Sequence, residues 1–382
     1  MTAADKASVL VLSFTDHRRD PRVARQIFAL QDHYDLTTAG NGPSANRTGR
    51  HVELVKTQTT LLEKVRKAAW LKSGRYLTEY WQGSFVRDAW AKLDGAKFEL
   101  VVANDLETLP LACRIAGDHG KVYLDAHEYE PLHWENRWTF RFFWQKYWEF
   151  ICREFLPRVD HMTTVCDGIA STYTKNYGVP CEVVINAPSY SELEPTPVTE
   201  EKIRMIHHGA GNRDRQLLVM LELMPLLDER FSLDLMLVNN DPRYMRRIRE
   251  RVQVTERVRL IEPAAMPQIV STINSYDIGL FMLWPVTFNY EMALPNKFFE
   301  FMQARLAIAI WPSSQMKKIV NEEGLGVVTS EFSVEEMARK LNQLNADDVM
   351  SFKRNSCEAA KKYNVNAGIA HIRKAAERLT SR

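Results

Sequence analysis

Two series of short apolar runs, each followed by a stretch with helical spacing, constrain this chain more than any other feature. The first series reads SVLVLSF (Ser8–Phe14), YDLTTAG (Tyr34–Gly40), FELVVAND (Phe98–Asp105) and KVYLDAHE (Lys121–Glu128). It continues with HMTTVCDG (His161–Gly168) and CEVVINAP (Cys181–Pro188). Runs this short and this apolar suit strands covered on both faces, as in a parallel sheet. RVARQIFALQ (Arg22–Gln31) and IASTYTKNYG (Ile169–Gly178) have helical spacing, and Gly178 suits a left-handed helix end. A second series restarts with IRMIHHGAG (Ile203–Gly211), RFSLDLMLVNN, VRLIEP, DIGLFML, LAIAIWP and LGVVTS. The expected class is α/β, with two doubly wound parallel-sheet domains facing a cleft.

The boundary falls in APSYSELEPTPVTEEK, which holds three prolines and several acids and lacks apolar periodicity. The expected domains are 1–187, a linker over 188–202, and 203–363, with a final helix over 364–382. A chain of 382 residues is long enough for two such domains. Ligands of open α/β sheets sit beyond the carboxyl ends of the strands. Attention therefore falls on the loops after Phe14, Asn104, Asp125, Gly209, Asn239, Glu262 and Leu283.

Several chemistries lack their signatures. No GxGxxG follows the first strand, and no phosphate loop, HExxH or GxSxG appears. No Asp-x-Asp pair is present, and the adjacent Asp347 and Asp348 lie in a polar segment that reads as a solvated turn. No metal and no cofactor are therefore expected. The five cysteines are scattered, with no CxxC, which fits a reduced cytoplasmic protein. A net charge of +2 with no basic block gives no reason to expect nucleic acid. MTAADKASVLVLSF enters a strand directly, without the pattern of a signal peptide, and no run of ~20 apolar residues is long enough to span a membrane.

Cations at helix starts are the positive signal. In ALPNKFFEFMQARLAIAI, Pro295 suits the first helical position, and Asn296, Lys297 and Glu300 follow on the first turns. A lysine there opposes the helix dipole unless an anion docks. HHGAGNRDRQLL repeats the theme. Gly209 and Gly211 let backbone approach a ligand, and Arg213 and Arg215 open the next helix. Two such starts fit a diphosphate. Glu300 shares a helix face with Lys297, so an ion pair and a bond to ribose hydroxyls both fit. His207 and His208, adjacent in a strand, point opposite ways.

The strings DPRVARQIFAL, LDAHE, VVINAP, HHGAGNRDR and ALPNKFFEFMQA resemble those of GT-B glycosyltransferases, most closely the large retaining family four. The resemblance implies two Rossmann-like domains, a nucleotide-sugar donor (UDP- or GDP-linked) on the second, and retention of configuration. It implies that Arg215 and Lys297 bind the diphosphate, Glu300 the ribose, and that His127 faces the donor sugar. Gly209, Gly211, Arg213, Asn239, Glu262, Asn289 and Asn296 complete the expected donor set. It also implies that the last helix returns to the first domain. The family's two glutamates have seven residues between them, but Met292 stands where the first belongs, and Glu291 is displaced by one. Either Glu291 serves, or backbone N–H groups near Asn289 and Tyr290 hold the sugar.

In this fold the first loop, SFTDHRRDPRV, faces the cleft. Asp16 is the candidate base if configuration inverts, and His17, Arg18, Arg22 and Glu128 are candidates for the acceptor. Asp20 also fits a helix cap before Pro21. The expected acceptor is a lipid-linked or oligosaccharide intermediate in surface polysaccharide assembly. Two segments, 65–87 and 133–158, mix aromatic and basic residues. A core helix and a peripheral membrane contact at the inner face both fit them. A nucleotide-sugar epimerase of the same fold and a non-catalytic nucleotide-sugar-binding scaffold are the alternative functions.

Overall fold

The computed structural model describes residues 6–44, 49–58 and 60–381. Residues 1–5 of the N-terminal stretch and residue 382 of the expected last helix lie outside the described residues. The chain divides into two compact units: residues 1–185, 287–289 and 366–382 form one, and residues 186–286 and 290–365 the other.

Among the described residues, unit 1 carries a seven-stranded parallel sheet. Its strands are β1 (Ser8–Leu12), β2 (Asp35–Asn41), β3 (Arg50–Leu54), β4 (Leu100–Asn104), β5 (Lys121–Asp125), β6 (His161–Thr164) and β7 (Glu182–Val183), in the order β3-β2-β1-β4-β5-β6-β7. Each apolar run named above contains one of them. β3 was not anticipated, because RHVEL carries three polar residues in five and lies near the sheet edge, where charge blunts pairing. Val9, Val11, Leu100 and Val102 pack against Val23 and Ile27 of the helix Pro21–Leu30, and against Ile372, Ala375 and Ala376 of the helix Val365–Thr380. Asp20 caps the first of these helices by accepting from the backbone of Arg22 and Val23.

Unit 2 repeats the architecture with six parallel strands. They are β8 (Ile203–Gly211), β9 (Phe231–Asn239), β10 (Val258–Ile261), β11 (Ile278–Phe281), β12 (Ala307–Ile310) and β13 (Gly326–Val328), in the order β10-β9-β8-β11-β12-β13. Both sheets reverse direction beside their first strand, between β1 and β4 and between β8 and β11. The loops at these reversals splay apart and leave a crevice. The class is α/β doubly wound, as the alternating runs implied.

The proline-rich segment is not a free tether. Arg305, fully buried and at φ 61°, donates to the carbonyls of Ser191 and Leu193. Lys353, also fully buried, reaches Thr196 Oγ1 at 2.9 Å and Asp277 Oδ1 at 3.3 Å. The segment is thus stitched to unit 2. Asp347 and Asp348 likewise form structure, opening the helix Ala346–Lys362, where Asp348 completes a capping box with Asn345.

Removing one partner of a buried ion pair leaves the other charge uncompensated. Lys353→Met should lower the urea-unfolding free energy of the full chain by about 3 kcal/mol. A loss under about 1 kcal/mol would show that Asp277 is satisfied by Arg204 alone.

Candidate functional site

At the reversal of the unit 2 sheet the structure buries a lysine. The helix Asn296–Gln303 starts one residue later than the sequence suggested, so Pro295 is its cap and Asn296, half-buried, its first residue. Lys297 is only 7% exposed, and its Nζ lies 3.1 Å from His207 Nε2 on β8 and 4.6 Å from the centre of the Phe281 ring on β11. His207 Nδ1 lies 2.9 Å from the carbonyl of Leu280, which can only accept. Nδ1 therefore carries the proton, and Nε2 accepts from the lysine. Burial, and then the charge of Lys297, push the His207 pKa well down, consistent with this neutral tautomer.

Burial also pushes the Lys297 pKa well below the usual lysine range; Arg215 pushes it the same way and Glu300 pulls back. Arg215 lies in a 3-10 turn, Arg213–Arg215, whose cap Asn212 accepts from the Arg215 backbone. Its guanidinium lies 5.3 Å from the centre of the Tyr290 ring. Among the described residues, neither Lys297 nor Arg215 has a carboxylate in salt-bridge contact. Glu300 is mostly buried and its pKa rises to about 7, through burial offset in part by Lys297. The ion pair offered by their spacing does not form. His208 Nε2 instead lies 3.4 Å from Glu300 Oε2, without the alignment of a hydrogen bond.

The glycines also have neighbours within unit 2. A Cβ on Gly209, at φ 122°, would come within 3.0 Å of Lys297 Nζ, and one on Gly211 would collide with Met245. Both make room for side chains of their own unit. Arg213, Asn239 and Glu262 are exposed at the carboxyl ends of β8, β9 and β10. Glu291 is exposed, and its carbonyl accepts from Ser313 and Ser314.

In unit 1 the organiser is Asp105, which the sequence reading passed over. It follows β4 at φ 61°, a conformation uncommon outside glycine. Its carboxylate receives both terminal nitrogens of Arg22, at 3.2 and 3.0 Å, and the backbone N–H of His127 at 2.9 Å. Burial raises its pKa, but Arg22 and His127 outweigh that and hold it below the usual carboxylate range. Arg22 is buried and shared with Asp20, so it is committed to the scaffold. His127 is held low by burial and by Arg22, which favours neutral imidazole.

The first loop separates into parts. Asp16 accepts from the backbone and side chain of Arg18, and Arg18 and Arg19 point outward. His17 is fully buried under Gly40, edge-on to His51, and neither ring nitrogen has a partner. Burial drives its pKa down to about 4, so it packs as an uncharged ring rather than facing an acceptor.

Glu128 belongs to a cluster that the sequence did not show. His133 Nε2 meets Glu128 at 2.8 Å and Nδ1 meets Glu130 at 3.0 Å. Burial opposes the charge on His133, but the two carboxylates outweigh it and raise its pKa to about 10. Nearby, Asn289 spends its amide on Tyr129, accepting from its N–H and donating to its carbonyl, while Glu135 accepts from the backbone of Phe288. The Asn289 side chain is therefore occupied in unit 1.

Among the described residues, one group could in principle hold a metal: His161, Glu182 and His371. Arg378 lies 2.8 Å from His161 Nδ1 and can only donate, so His161 Nε2 bears the proton and donates to His371 at 3.1 Å. Arg378, His161 and His371 thus form a hydrogen-bonded row, with Glu182 3.8 Å from His161 Nδ1 and 3.7 Å from His371 Nε2. Also among the described residues, no helix is long and apolar enough to cross a membrane.

By sequence, the chain matches no protein-family model and no curated protein. By structure it is similar over nearly its whole length to several solved proteins. Sucrose-phosphate synthase from Thermosynechococcus elongatus has a TM-score of 0.72 at 12% identity, covering 97% of this chain and 98% of that one. Anabaena Alr3699/HepE in complex with UDP-glucose has a TM-score of 0.68 at 12% identity, covering 98% and 100%. WaaG, a glycosyltransferase involved in lipopolysaccharide biosynthesis, has a TM-score of 0.62 at 13% identity, also covering 98% and 100%. Likeness at this identity shows the fold, and the fold is the GT-B type of these glycosyltransferases.

The His133 cluster makes a pH-dependent prediction. Its pKa is raised from 6.5 to about 10, so its stabilisation is complete below 6.5 and fades only as pH passes through about 10. His133→Ala should cost about 2 kcal/mol at pH 8, where Glu128 and Glu130 would both be ionised without a cation, allowing for their partial exposure. The loss should grow toward pH 5, where the stabilisation is complete and Glu128, against the effect of burial held below the usual carboxylate range by His133, still carries its charge. Urea denaturation at the two pH values measures the difference, and an equal loss at both would refute the charge account.

Proposed function

We propose that this chain is a glycosyltransferase that moves a sugar from a nucleotide-sugar donor, UDP- or GDP-linked, to an acceptor with retention of configuration. The observation that carries the reading is the pair of cations Lys297 and Arg215 at the sheet reversal of unit 2. Among the described residues no carboxylate is in salt-bridge contact with either, and a neutral histidine braces Lys297. A buried cation in this state has an electrostatic vacancy that an anion fills. A diphosphate supplies that anion, and Glu300, one helical turn from Lys297, is the acceptor offered to the ribose hydroxyls. The complex of the Anabaena neighbour with UDP-glucose supports a nucleotide-sugar donor.

Catalysis in this reading is the stabilisation of a departing diphosphate. Negative charge grows on the phosphate oxygens as the bond to the sugar lengthens, and preformed cations meet it without reorganisation. Retention assigns the acceptor's proton to the departing phosphate, leaving Asp16 to position the acceptor. His127, oriented by Asp105, presents a neutral imidazole to the donor sugar. Glu291, exposed, and backbone N–H groups around Asn289 and Tyr290 are the two alternatives for gripping that sugar. Lys297 and Arg215 take the role that a divalent cation has elsewhere, so no metal is needed. The acceptor is an intermediate of surface polysaccharide assembly, met at the cytoplasmic face of the membrane.

Calorimetric titration with UDP and GDP in EDTA tests the cations. Lys297→Ala and Arg215→Ala should each weaken binding by roughly 1.5–3 kcal/mol, the worth of a charge-assisted bond. Wild-type affinity in both variants, or binding that appears only when magnesium replaces EDTA, would refute the assignment.

Glu300 gives a pH test. Its pKa of about 7 means that it is half protonated at neutrality in the free protein, whereas two ribose hydroxyls need the carboxylate as acceptor. Affinity for UDP should therefore rise as pH increases through 7. The rise should vanish for a 2′,3′-dideoxy analogue and in Glu300→Gln. A rise that persists in that variant would remove Glu300 from the ribose site.

A further inference from the structure

An unassigned cavity of about 350 Å³ lies within unit 1. Phe14 and Glu107 border it, and they lie just past the carboxyl ends of β1 and β4, at the sheet reversal. Its walls come from the two aromatic–basic segments, with Trp70 on the helix Leu61–Lys72 and Trp144, Tyr147 and Trp148 opposite. Phe14 stacks on Phe85 at 5.3 Å. The two segments thus divide: Tyr147 and Trp148 are core, while the indole of Trp70 stays part-exposed at the cavity.

Four cations, Lys56, Arg66, Lys67 and Arg87, and three acids, Glu63, Glu79 and Glu107, line this cavity, and burial and then Asp105 push the Glu107 carboxyl toward its neutral form. Glu63 is used in a capping box with Thr60, and Glu79 pairs with Lys67. Arg66 lies 4.8 Å from the centre of Trp70 and Lys56 lies 5.9 Å from the centre of Phe85. Among the described residues, no carboxylate is in salt-bridge contact with Lys56, Arg66 or Arg87.

The outward face of the same helix is apolar where solvent should select polar residues. Leu61, Leu62 and Val65 are 79, 75 and 61% exposed. Ala69 continues the row at helical spacing, and Lys64, Arg66 and Lys72 flank it. Trp138 and Phe142 are also strongly exposed, on the segment that packs beside this helix. A hydrocarbon surface, a rim of unpaired cations and an aromatic pocket suited to the apolar face of a sugar adjoin one another on one helix.

We propose that this helix and its cavity bind the acceptor as a lipid-linked phosphate, with its hydrocarbon chain on Leu61, Leu62 and Val65, its phosphate on Arg66 with Lys56 and Arg87, and its sugar against Trp70 and Trp144. The proposal rests on the glycosyltransferase reading and chooses the lipid-linked acceptor over a free oligosaccharide. Each part alone is weak. An exposed leucine stripe without the pocket would fit any membrane, and the pocket without the stripe would fit any anionic sugar.

Farnesyl phosphate titrated into the full chain, read by tryptophan fluorescence, tests this. Saturable quenching is expected, with farnesol and inorganic phosphate each binding at least tenfold more weakly. Arg66→Ala and the double substitution Leu61→Ser/Leu62→Ser, both at exposed positions, should each weaken farnesyl phosphate about tenfold. Trp70→Phe should change the quenching amplitude. Equal binding of farnesol, or wild-type affinity in both variants, overturns the site. So does binding only to phosphatidylglycerol vesicles, since that is bulk membrane contact. UDP affinity in the same samples separates the two readings. A chain that binds UDP but not farnesyl phosphate overturns this site and leaves the donor site standing; the opposite result overturns the donor site alone.

Discussion

The ammonium of Lys297 is the constraint around which unit 2 is arranged. Taking a lysine charge out of water costs several kcal/mol unless something compensates it. Here the compensation is partial and neutral. His207 offers one lone pair because Leu280 holds its other nitrogen as a donor, and Phe281 offers a ring face. Gly209 at φ 122° leaves the space that a side chain would close. A carboxylate would have stabilised the lysine better and would have abolished the vacancy. The arrangement stores an unmet demand for negative charge at the point where a parallel sheet reverses.

Unit 1 solves the opposite problem. Its reversal also gathers charged groups, but Asp105 and Asp20 neutralise Arg22, and Asp105 takes the His127 backbone. Beneath them Gln26 donates to Asp125 at 2.6 Å and accepts from Asn104 at 2.9 Å, while Thr163 donates to Asp125. A network this closely connected rigidifies its members, although the buried Asn104 Oδ1 has no partner. His127 is thereby positioned as neutral imidazole, suited to hydrogen bonding with a polar ligand rather than to holding an anion.

What the sequence made legible follows from this difference. Every strand but β3 lay in an apolar run, and β3 was missed because three of the five residues of this edge strand, RHVEL, are polar. Lys297 was legible because a lysine in a first helical turn contradicts the dipole rule, and a broken local rule points to a site. Asp105 was not legible. Its role depends on a left-handed backbone at a non-glycine residue and on partners 83 and 22 positions away, neither of which has a local signature. The same holds for His133 and its two carboxylates. His17 shows the converse: it looked like a ligand among polar neighbours, yet a ring can be buried there because Gly40 has no side chain.

The stretch before Glu291 is held in place by hydrogen bonds. The Asn289 amide spends one lone pair of its oxygen and one of its two N–H groups on the Tyr129 backbone, which fixes its orientation. Glu135 further ties down the backbone of Phe288. The stretch 287–289 is therefore fixed to unit 1, while Tyr290 onward belongs to unit 2. A one-residue shift of an acid immediately after such an anchor rotates it about 100° around a helical turn. Glu291 is exposed rather than buried beside Lys297. That exposure leaves Glu291 in solvent rather than in salt-bridge contact with Lys297 or Arg215.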